Sequence, residues 1–219
     1  MAHSNSLESL LHDFEGAKGS EENLKRQFDE IALRILFGGY FEVETGDEVM
    51  RIYMKDVEFY YHEIGNERFQ DPIMYRKDTA VPLPIGSFYL HISGVDLTLE
   101  RGNEFRAAIL LRSFTLNNQK GELEKRPTYL YDYLFKGISP FPTDYRVRWI
   151  DLEEWTEGKV FWTVRKNVPC YDENGHKRPF TGTGMATEDG KHVQDPREWR
   201  YMDAAYKEKL TKQQHADRQ

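Results

Sequence analysis

The stretch of this chain that most constrains its fold is residues 83–114, which has the pattern of a buried β-hairpin. In its first part an apolar set, Phe88, Leu90 and Ile92, alternates with a polar set, Tyr89, His91 and Ser93. A period of two residues is typical of a half-buried strand. After Gly94 the phase reverses, so that the apolar set becomes Val95, Leu97 and Leu99 and the polar set Asp96, Thr98 and Glu100. We expect a β-bulge or kink at Gly94 to cause this reversal.

The second half of the predicted hairpin follows a turn at residues 100–103. Residues 105–111 are apolar almost throughout, which is typical of a strand that is covered on both faces. The hairpin therefore carries one polar row of Tyr, His, Ser, Asp and Glu side chains. We expect this row to be either a solvated surface or the wall of a pocket.

Length and composition favour one domain that is rich in strands. With 219 residues, of which 39% are hydrophobic, the chain is long enough for one sizeable core. Aromatic residues make up 14% of the chain, which favours strands over a helix bundle. We predict a mixed α/β (α+β) fold, a single compact domain over residues 1–219 with a curved, mainly antiparallel β-sheet and flanking helices. Within it we expect an N-terminal extension at residues 1–20, an extended loop at 168–195 and a C-terminal helix or tail at 204–219.

The remaining elements are predicted from local signals. An amphipathic helix starts at residues 20–23 and stops at residues 38–39, where two glycines end the pattern. Strands are predicted at residues 40–43, 48–53 and 57–62, and an irregular loop at 65–84. Further along the chain we expect a short helix at 129–135, a strand at 159–166 and a last strand at 199–202.

Cysteine content and charge limit the class of protein. The single cysteine, Cys170, excludes an intrachain disulfide, and there is no apolar run of secretory or membrane-spanning length. We therefore expect a cytoplasmic protein with no membrane partner. The net charge of -7 arises in the first 50 residues, which hold eleven Asp and Glu against four Lys and Arg. Residues 101–148 carry nine Lys and Arg against five Asp and Glu, so a basic patch for nucleic acid is not excluded.

Five short patterns follow one another in the first half of the chain. They are Ala32-Leu33-Arg34-Ile35-Leu36-Phe37-Gly38-Gly39, Val57-Glu58-Phe59-Tyr60, Asp71-Pro72-Ile73-Met74-Tyr75-Arg76, Gly86-Ser87-Phe88-Tyr89-Leu90-His91-Ile92 and Ala107-Ala108-Ile109-Leu110-Leu111-Arg112. In this order they resemble the alkyladenine (methylpurine) DNA glycosylases, a base-excision-repair family with a compact mixed α/β fold. The resemblance covers residues 22–114, and later only residues 196–201 suggest the closing strand.

The resemblance implies a reaction and the residues that perform it. Such an enzyme extrudes a nucleotide, stacks its base on aromatic rings and activates a water to attack the sugar. Glu58, beside Tyr60, matches the catalytic Glu and so implies a general base, the other interpretation being an exposed surface carboxylate. Tyr89 matches a pocket Tyr, while His91 replaces a Tyr that stacks on the base; a histidine can stack, donate to a base edge or simply belong to the core. Arg112 is retained and is expected to meet the sugar-phosphate or orient the base, or else to form a salt bridge.

Besides His91, three points in the chain depart from the family pattern. Tyr75 stands where the family has a His, which removes a group that can be cationic near phosphate. Ser93 and Gly94 stand where the family inserts a Tyr into the duplex, and a serine cannot fill a base-sized hole. Glu100 stands where the family has an Asn that gates against wrong purines, which places a second carboxylate near the pocket or at the hairpin turn.

Two functional classes remain open. The first is a glycosylase-like enzyme that excises a flipped modified purine from DNA, with Glu58 as the base and a substrate site formed by Tyr60, Tyr75, Tyr89, His91, Glu100 and Arg112. The second is a non-catalytic binding module with the same fold and a small-molecule or nucleobase pocket. The lost inserting Tyr, the Tyr at position 75 and the acidic N-terminal region favour the second class. The retention of Glu58, Tyr89 and Arg112 together favours the first, and we predict a glycosylase-like family member.

Other chemistries have little support in the sequence. We expect no cofactor and no metal, since the histidines lack the spacing of metal ligands and Cys170 lacks the signature of a nucleophile. The Gly-Thr-Gly of residues 182–184 is too weak a signal for a phosphate loop. The aromatic pair at residues 161–162 is typical of core packing more than of a platform for a base.

Overall fold

The computed structural model describes residues 5–66, 69, 71, 73–117, 122–141, 144–165 and 197–210, and the backbone of residues 185–186 and 192–193. Its helices are α1 (Leu7–His12), α2 (Glu21–Phe37) and α3 (Leu130–Leu134). Its strands are β1 (Gly39–Thr45), β2 (Glu48–Glu63), β3 (Phe88–His91), β4 (Gly94–Thr98), β5 (Phe105–Leu116), β6 (Tyr145–Asp151), β7 (Val160–Thr163), β8 (Met185–Ala186), β9 (His192–Val193) and β10 (Arg200–Asp203). The protein has a mixed α/β fold with a curled antiparallel sheet and few helices.

The main sheet is organised around its longest strand, β2. The strand order is β3-β4-β5-β2-β1-β6, and β10 and β7 extend the sheet from the second half of β2. One edge of β2 pairs with β5, whereas the other edge pairs first with β1 and then with β10. β8 and β9 form a separate two-stranded pair. β1 and β10, which lie far apart in the sequence, therefore pair with the same edge of β2.

β2 replaces the two separate strands that the sequence predicts at residues 48–53 and 57–62, so that prediction is wrong. The register against β5 shifts on both sides of Asp56, which leaves Lys55 and Arg112 without a directly paired residue on the other strand. A bulge of this kind bends a strand and increases its twist. The bend lets the two halves of β2 take different neighbours.

Helix α2 begins and ends where the sequence predicts. The Ser20 hydroxyl accepts a hydrogen bond from the backbone N–H of Asn23 at 3.2 Å, an N-cap that stabilises a helix by about 1 kcal/mol. Gly38 lies at the C-terminal end and donates its N–H to the Arg34 carbonyl at 2.9 Å. The buried stripe of the helix packs on β2, and Phe28 stacks on Phe59 with ring centroids 4.3 Å apart.

The segment predicted as an N-terminal extension contributes to the same core. Its buried apolar side chains are Leu7, Leu11, Phe14 and Ala17. The backbone N–H of Ala17 also donates to the Tyr61 hydroxyl at 3.0 Å, which ties this segment to β2. Residues 7–17 therefore form part of the packed unit.

The predicted hairpin exists, but its first turn comes earlier than the sequence suggests. A two-residue turn at residues 92–93 joins β3 to β4, and His91 pairs with Gly94 across it. The predicted bulge at Gly94 is therefore wrong. The chain reversal at this turn explains why the polar set changes from odd-numbered to even-numbered residues. Directly paired residues of antiparallel strands point to the same face, and Tyr89 pairs with Asp96.

Gly94 is required by its conformation and by its neighbours. Its φ is 144°, a value that L side chains rarely adopt. A Cβ at this position would lie 2.8 Å from the Cβ of Pro127 and 3.0 Å from a methyl of Leu110. The hydroxyl of Tyr131 lies against the carbonyls of His91 and Gly94, so the segment around α3 supports the turn from behind.

The two faces of the main sheet differ in character. Val57, Phe59 and Tyr61 alternate along β2 on the face that packs against α2, and all three are buried. Glu58 and Tyr60 lie between them and project from the opposite face. This alternation assigns the polar side chains to the face away from the helix.

The later elements confirm some predictions and add strands. α3 and β10 lie where a short helix and a last strand are predicted, whereas no strand was predicted at β6, β8 or β9. The predicted loop at 168–195 lies outside the described residues except for β8 and β9, and so does the tail beyond residue 210. Among the described helices, none combines the length and the apolar character that crossing a membrane requires.

Candidate functional site

A row of side chains crosses five strands on the polar face of the sheet. Tyr89 pairs with Asp96, Asp96 with Leu110, Leu110 with Glu58, and Glu58 with Arg200. Since directly paired residues share a face, all five project to the side away from α2. This row brings two carboxylates, Asp96 and Glu58, to either side of one leucine.

Glu58 is buried within a set of hydrogen-bond and charge partners. Its side chain is 1% exposed, and its Oε2 accepts from the Tyr60 hydroxyl at 2.8 Å and from Arg112 at 3.1 Å. Its Oε1 lies 3.6 Å from Nε of Arg200 and accepts no hydrogen bond from a described residue. Burial by itself would raise the pKa of Glu58, but the charges of Arg112 and Arg200 outweigh burial and lower it. Glu58 is therefore ionised at neutral pH.

A second carboxylate completes the ion-pair network around Glu58. Arg200 makes a bidentate contact with Asp56, with N–O distances of 3.0 and 2.6 Å. Nε of Arg112 lies 3.5 Å from the same carboxylate. Two guanidinium groups thus face two carboxylates at the bulge of β2, and Arg112 points to this face from the irregular position opposite the bulge. The network is neutral overall.

A buried arginine supports the ring of Tyr60 from behind. The guanidinium of Arg165 lies 4.6 Å from the centre of the Tyr60 ring and 5.0 Å from that of Trp199. Arg165 also pairs with Asp71 and donates to the carbonyl of Phe59 at 3.0 Å. These contacts fix Tyr60 between a cation on one side and the polar face on the other.

A cavity of about 100 Å³ opens beside this network. It is lined by Tyr60, Ile73, Met74, Tyr75, His91, Ser93, Asp96, Ala108 and Leu110. Tyr60 on β2 and His91 on β3 are separated by β5 and β4, about 14 Å along the sheet at ordinary strand spacing. The two rings therefore form opposite walls, and Ala108, Leu110 and Asp96 form the floor between them.

Aromatic rings form the wall of the cavity on the hairpin side. The ring of His91 lies 4.1 Å from that of Tyr75, at 32° to it, and 5.8 Å from that of Tyr89. The Tyr75 hydroxyl is 3.3 Å from the hydroxyl of Ser93, which links the loop before β3 to the hairpin turn. This wall offers a flat face to a ligand.

Both ring nitrogens of His91 face groups of the protein. Nδ1 accepts from the backbone N–H of Ser93 at 3.2 Å, which places the ring proton on Nε2. Nε2 lies 3.0 Å from Oδ1 of Asp96, although the N–H points off that line. The His91 side chain is 5% exposed and its ring stacks on Tyr75, so His91 contributes to the aromatic wall mainly by supporting Tyr75.

Asp96 differs from Glu58 in its surroundings. It is 4% exposed, and burial is the main reason why its pKa is raised. His91 acts in the opposite direction and Glu58 adds to the rise, but no arginine contributes. One face of the sheet thus holds one carboxylate with a lowered pKa and one with a raised pKa.

The predicted site residues divide into those that meet at this face and one that does not. Tyr60, Tyr75 and His91 line the cavity, Tyr89 stacks behind His91, and Glu58 and Arg112 lie next to Tyr60 in the network, as described above. Glu100 is engaged elsewhere. Its carboxylate accepts from Arg76 at 3.0 Å and from the backbone N–H of Leu83 at 2.6 Å, so it fastens the loop before the hairpin.

Sequence reasoning missed several residues of the site. Asp96 carried a signal, because it is polar and alternates with buried Val95 and Leu97, but it was assigned only to the polar row. Arg200 and Asp56 carried no local signal, since their contact joins positions 144 residues apart. Among the described residues there is no group of three or more His, Cys, Asp or Glu that could hold a metal ion, and Cys170 and residues 182–184 lie outside them.

Comparison with models of protein families, with curated proteins and with solved structures finds no match for this chain. The resemblance to the alkyladenine DNA glycosylases therefore remains a prediction from the sequence. The geometry of Glu58, the cavity and its aromatic walls is the independent basis for a functional proposal.

Proposed function

We propose that this protein is a glycosylase-like protein of the methylpurine DNA glycosylase type, which takes a flipped modified purine into the cavity beside Glu58. The observation that carries the proposal is that Glu58, Tyr60, His91 and Arg112 share one face of the sheet, next to a cavity with aromatic walls. An enzyme that removes a base from DNA needs a stacking pocket and a carboxylate beside it.

Glu58 has the properties that a base for water activation needs. It is ionised, and its position is fixed through Oε2 by Tyr60 and Arg112. Its Oε1 is buried and accepts no hydrogen bond from a described residue, and we propose that this oxygen takes the proton of the attacking water once the substrate is bound. In this arrangement Arg112 acts on the reaction by orienting Glu58.

The hairpin turn supplies an apolar side chain beside the cavity. Ile92 is 87% exposed at the tip of the turn, next to Ser93 of the cavity wall. Sequence analysis placed Ser93 and Gly94 at the inserting position, but the turn at residues 92–93 makes Ile92 the side chain that points outward. Isoleucine is among the residues that proteins wedge between base pairs from the minor groove. Ile92 would hold the duplex open while the base is flipped.

The test is release of an alkylated purine from duplex DNA by wild type and by Glu58→Gln. We expect the substitution to lower the rate of release by about 100-fold or more, in the range of general-base catalysis. Glu48→Gln is the matched control, because Glu48 lies exposed on the same strand. Equal rates for wild type and Glu58→Gln would contradict the role of Glu58.

One observation favours a second function, a binding module without catalysis. The charges of Arg112 and Arg200 lower the pKa of Glu58, and a carboxylate of low pKa is a weak base. Under this alternative the protein retains a purine in the cavity and releases none from DNA. Binding to duplex DNA, measured across a range of salt concentrations, separates a DNA-directed protein from a small-molecule module, since phosphate contacts give a steep negative slope.

A further inference from the structure

Asp96 is a buried carboxylate whose hydrogen-bonding capacity is not met within the described protein. Its side chain is 5% exposed, and its Oδ1 is buried and accepts no hydrogen bond from a described residue. The nearest donor atom is Nε2 of His91, 3.0 Å from Oδ1, and its N–H is not aligned with that oxygen. A buried carboxylate oxygen without a donor is costly, and such exceptions in native proteins call for a physical reason. A donor supplied by a ligand is such a reason.

The position of Asp96 fits that role. It lies on the floor of the cavity, between the walls formed by Tyr60 and His91. A flat ring that stacks on the aromatic wall of Tyr75 and His91 presents one edge to the floor. The neighbouring floor residues, Ala108 and Leu110, have side chains that form no hydrogen bonds, so Asp96 is the floor residue that can select between ring edges.

We propose that Asp96 determines specificity for a base whose edge presents two adjacent N–H donors, as guanine does with its N1–H and its 2-amino group. An ionised carboxylate only accepts hydrogen bonds, and its two oxygens match two parallel donors. Adenine presents a donor beside an acceptor, so one of its ring nitrogens would face a carboxylate oxygen without a proton between them. This inference rests on the proposed function in one respect only, namely that the cavity takes a purine.

The experiment measures the affinity of guanosine, adenosine and 1-methylguanosine for wild type and Asp96→Asn by calorimetric titration. We expect wild type to bind guanosine at least about 10-fold more tightly than either of the others, the effect of one lost hydrogen bond to a charged group. 1-Methylguanosine is the matched ligand control, because it keeps the ring and loses the N1–H donor. Asp96→Asn is expected to lose the preference for guanosine and to leave adenosine binding within about threefold, since an amide offers both a donor and an acceptor.

Two further variants keep the test decisive. Ala108→Leu fills the floor without touching the carboxylate and is expected to weaken guanosine and adenosine alike, whereas Asp47→Asn, at an exposed turn, is expected to change neither. The inference is overturned if wild type binds guanosine and adenosine equally, if it binds no guanosine at millimolar concentration, or if Asp96→Asn keeps the preference. A protein that releases no base but selects guanosine through Asp96 would disprove catalysis and support this inference. A protein that releases base equally well as wild type and as Asp96→Asn would support catalysis and contradict this inference.

Discussion

Glu58 and Asp96 occupy equivalent positions on one face of the sheet, yet their surroundings give them opposite properties. Both flank Leu110 in the strand register, and both are buried, at 1% and 4% exposure. Glu58 faces two guanidinium groups and has a lowered pKa, whereas Asp96 faces a histidine ring and has a raised pKa. Burial is nearly the same, so the difference comes from the partners. A pair of carboxylates with pKa values moved apart is a common arrangement in sites that perform acid–base chemistry.

The largest expected effect comes from removing a cation on the Glu58 side. Arg200→Met leaves Asp56 without its bidentate partner and Glu58 with one guanidinium instead of two. Breaking a buried ion pair on one side lowers the free energy of unfolding by about 3–5 kcal/mol. Urea denaturation measures the loss. Arg26→Met removes an exposed ion pair and is expected to lower the free energy of unfolding by less than about 1 kcal/mol. Similar losses in Arg200→Met and Arg26→Met would show that the buried network around Glu58 contributes no more than a surface ion pair.

The next effect is a difference in acid sensitivity caused by Glu58. Its folded pKa is lowered, so its ionised form stabilises the protein above the unfolded value of 4.5, and this contribution is lost as pH falls through the folded pKa. Glu58→Gln is expected to lower the free energy of unfolding at pH 7 by about 2 kcal/mol, the scale of hydrogen bonds to a charged group. The gap between variant and wild type should narrow below pH 4.5. A gap that stays constant from pH 7 to pH 3 would show that charge is not its cause.

The charge of Asp96 is expected to affect the free energy of unfolding in the opposite direction to that of Glu58, and by a smaller amount. Its folded pKa is raised, so the ionised form opposes folding at neutral pH, and this cost disappears as pH falls toward the unfolded value of 3.8. Asp96→Asn removes the charge and is expected to leave the free energy of unfolding at pH 7 unchanged or raised by up to about 1 kcal/mol. A loss of more than about 1 kcal/mol would mean that the contact with His91 makes a net favourable contribution.

The smallest expected effect concerns the loop that covers the Asp96 side. Tyr75→Phe removes the 3.3 Å contact between hydroxyls and keeps the ring against His91. Because Tyr75 is 38% exposed, water replaces the lost partner, and the free energy of unfolding should change by less than about 0.5 kcal/mol. Thermal unfolding provides the measurement. A larger loss would show that the hydroxyl contact, and not ring stacking, holds the loop in place.

The sequence predicted those elements whose signals are local. Helix α2 has a capping serine, a continuous apolar stripe and a terminal glycine, and its bounds were predicted correctly. The polar row of β3 and β4 was also visible, because alternation needs only a few neighbouring residues. β6 carried such a signal too, in the alternation of Tyr145, Val147 and Trp149 with arginines, and it was missed.

Features that depend on distant contacts were out of reach. β10 pairs with β2 across more than half of the chain, and this pairing alone brings Arg200 to Asp56 and Glu58. The sequence therefore identified Glu58 and Arg112, the nearer of its two cations, without Arg200. In the same way, the long strand β2 was divided in two because the bulge at Lys55 interrupts the alternation, while pairing with β5 keeps the strand continuous.

The turn at residues 92–93 also limits how this region can vary in length during evolution. Side chains of a strand alternate between faces at every residue, so one residue inserted into β3 would direct Tyr89 and His91 toward the core side of the sheet. Two inserted residues would restore their orientation. Changes of length within β3 should therefore survive in even numbers. The orientation of the aromatic wall depends on this parity.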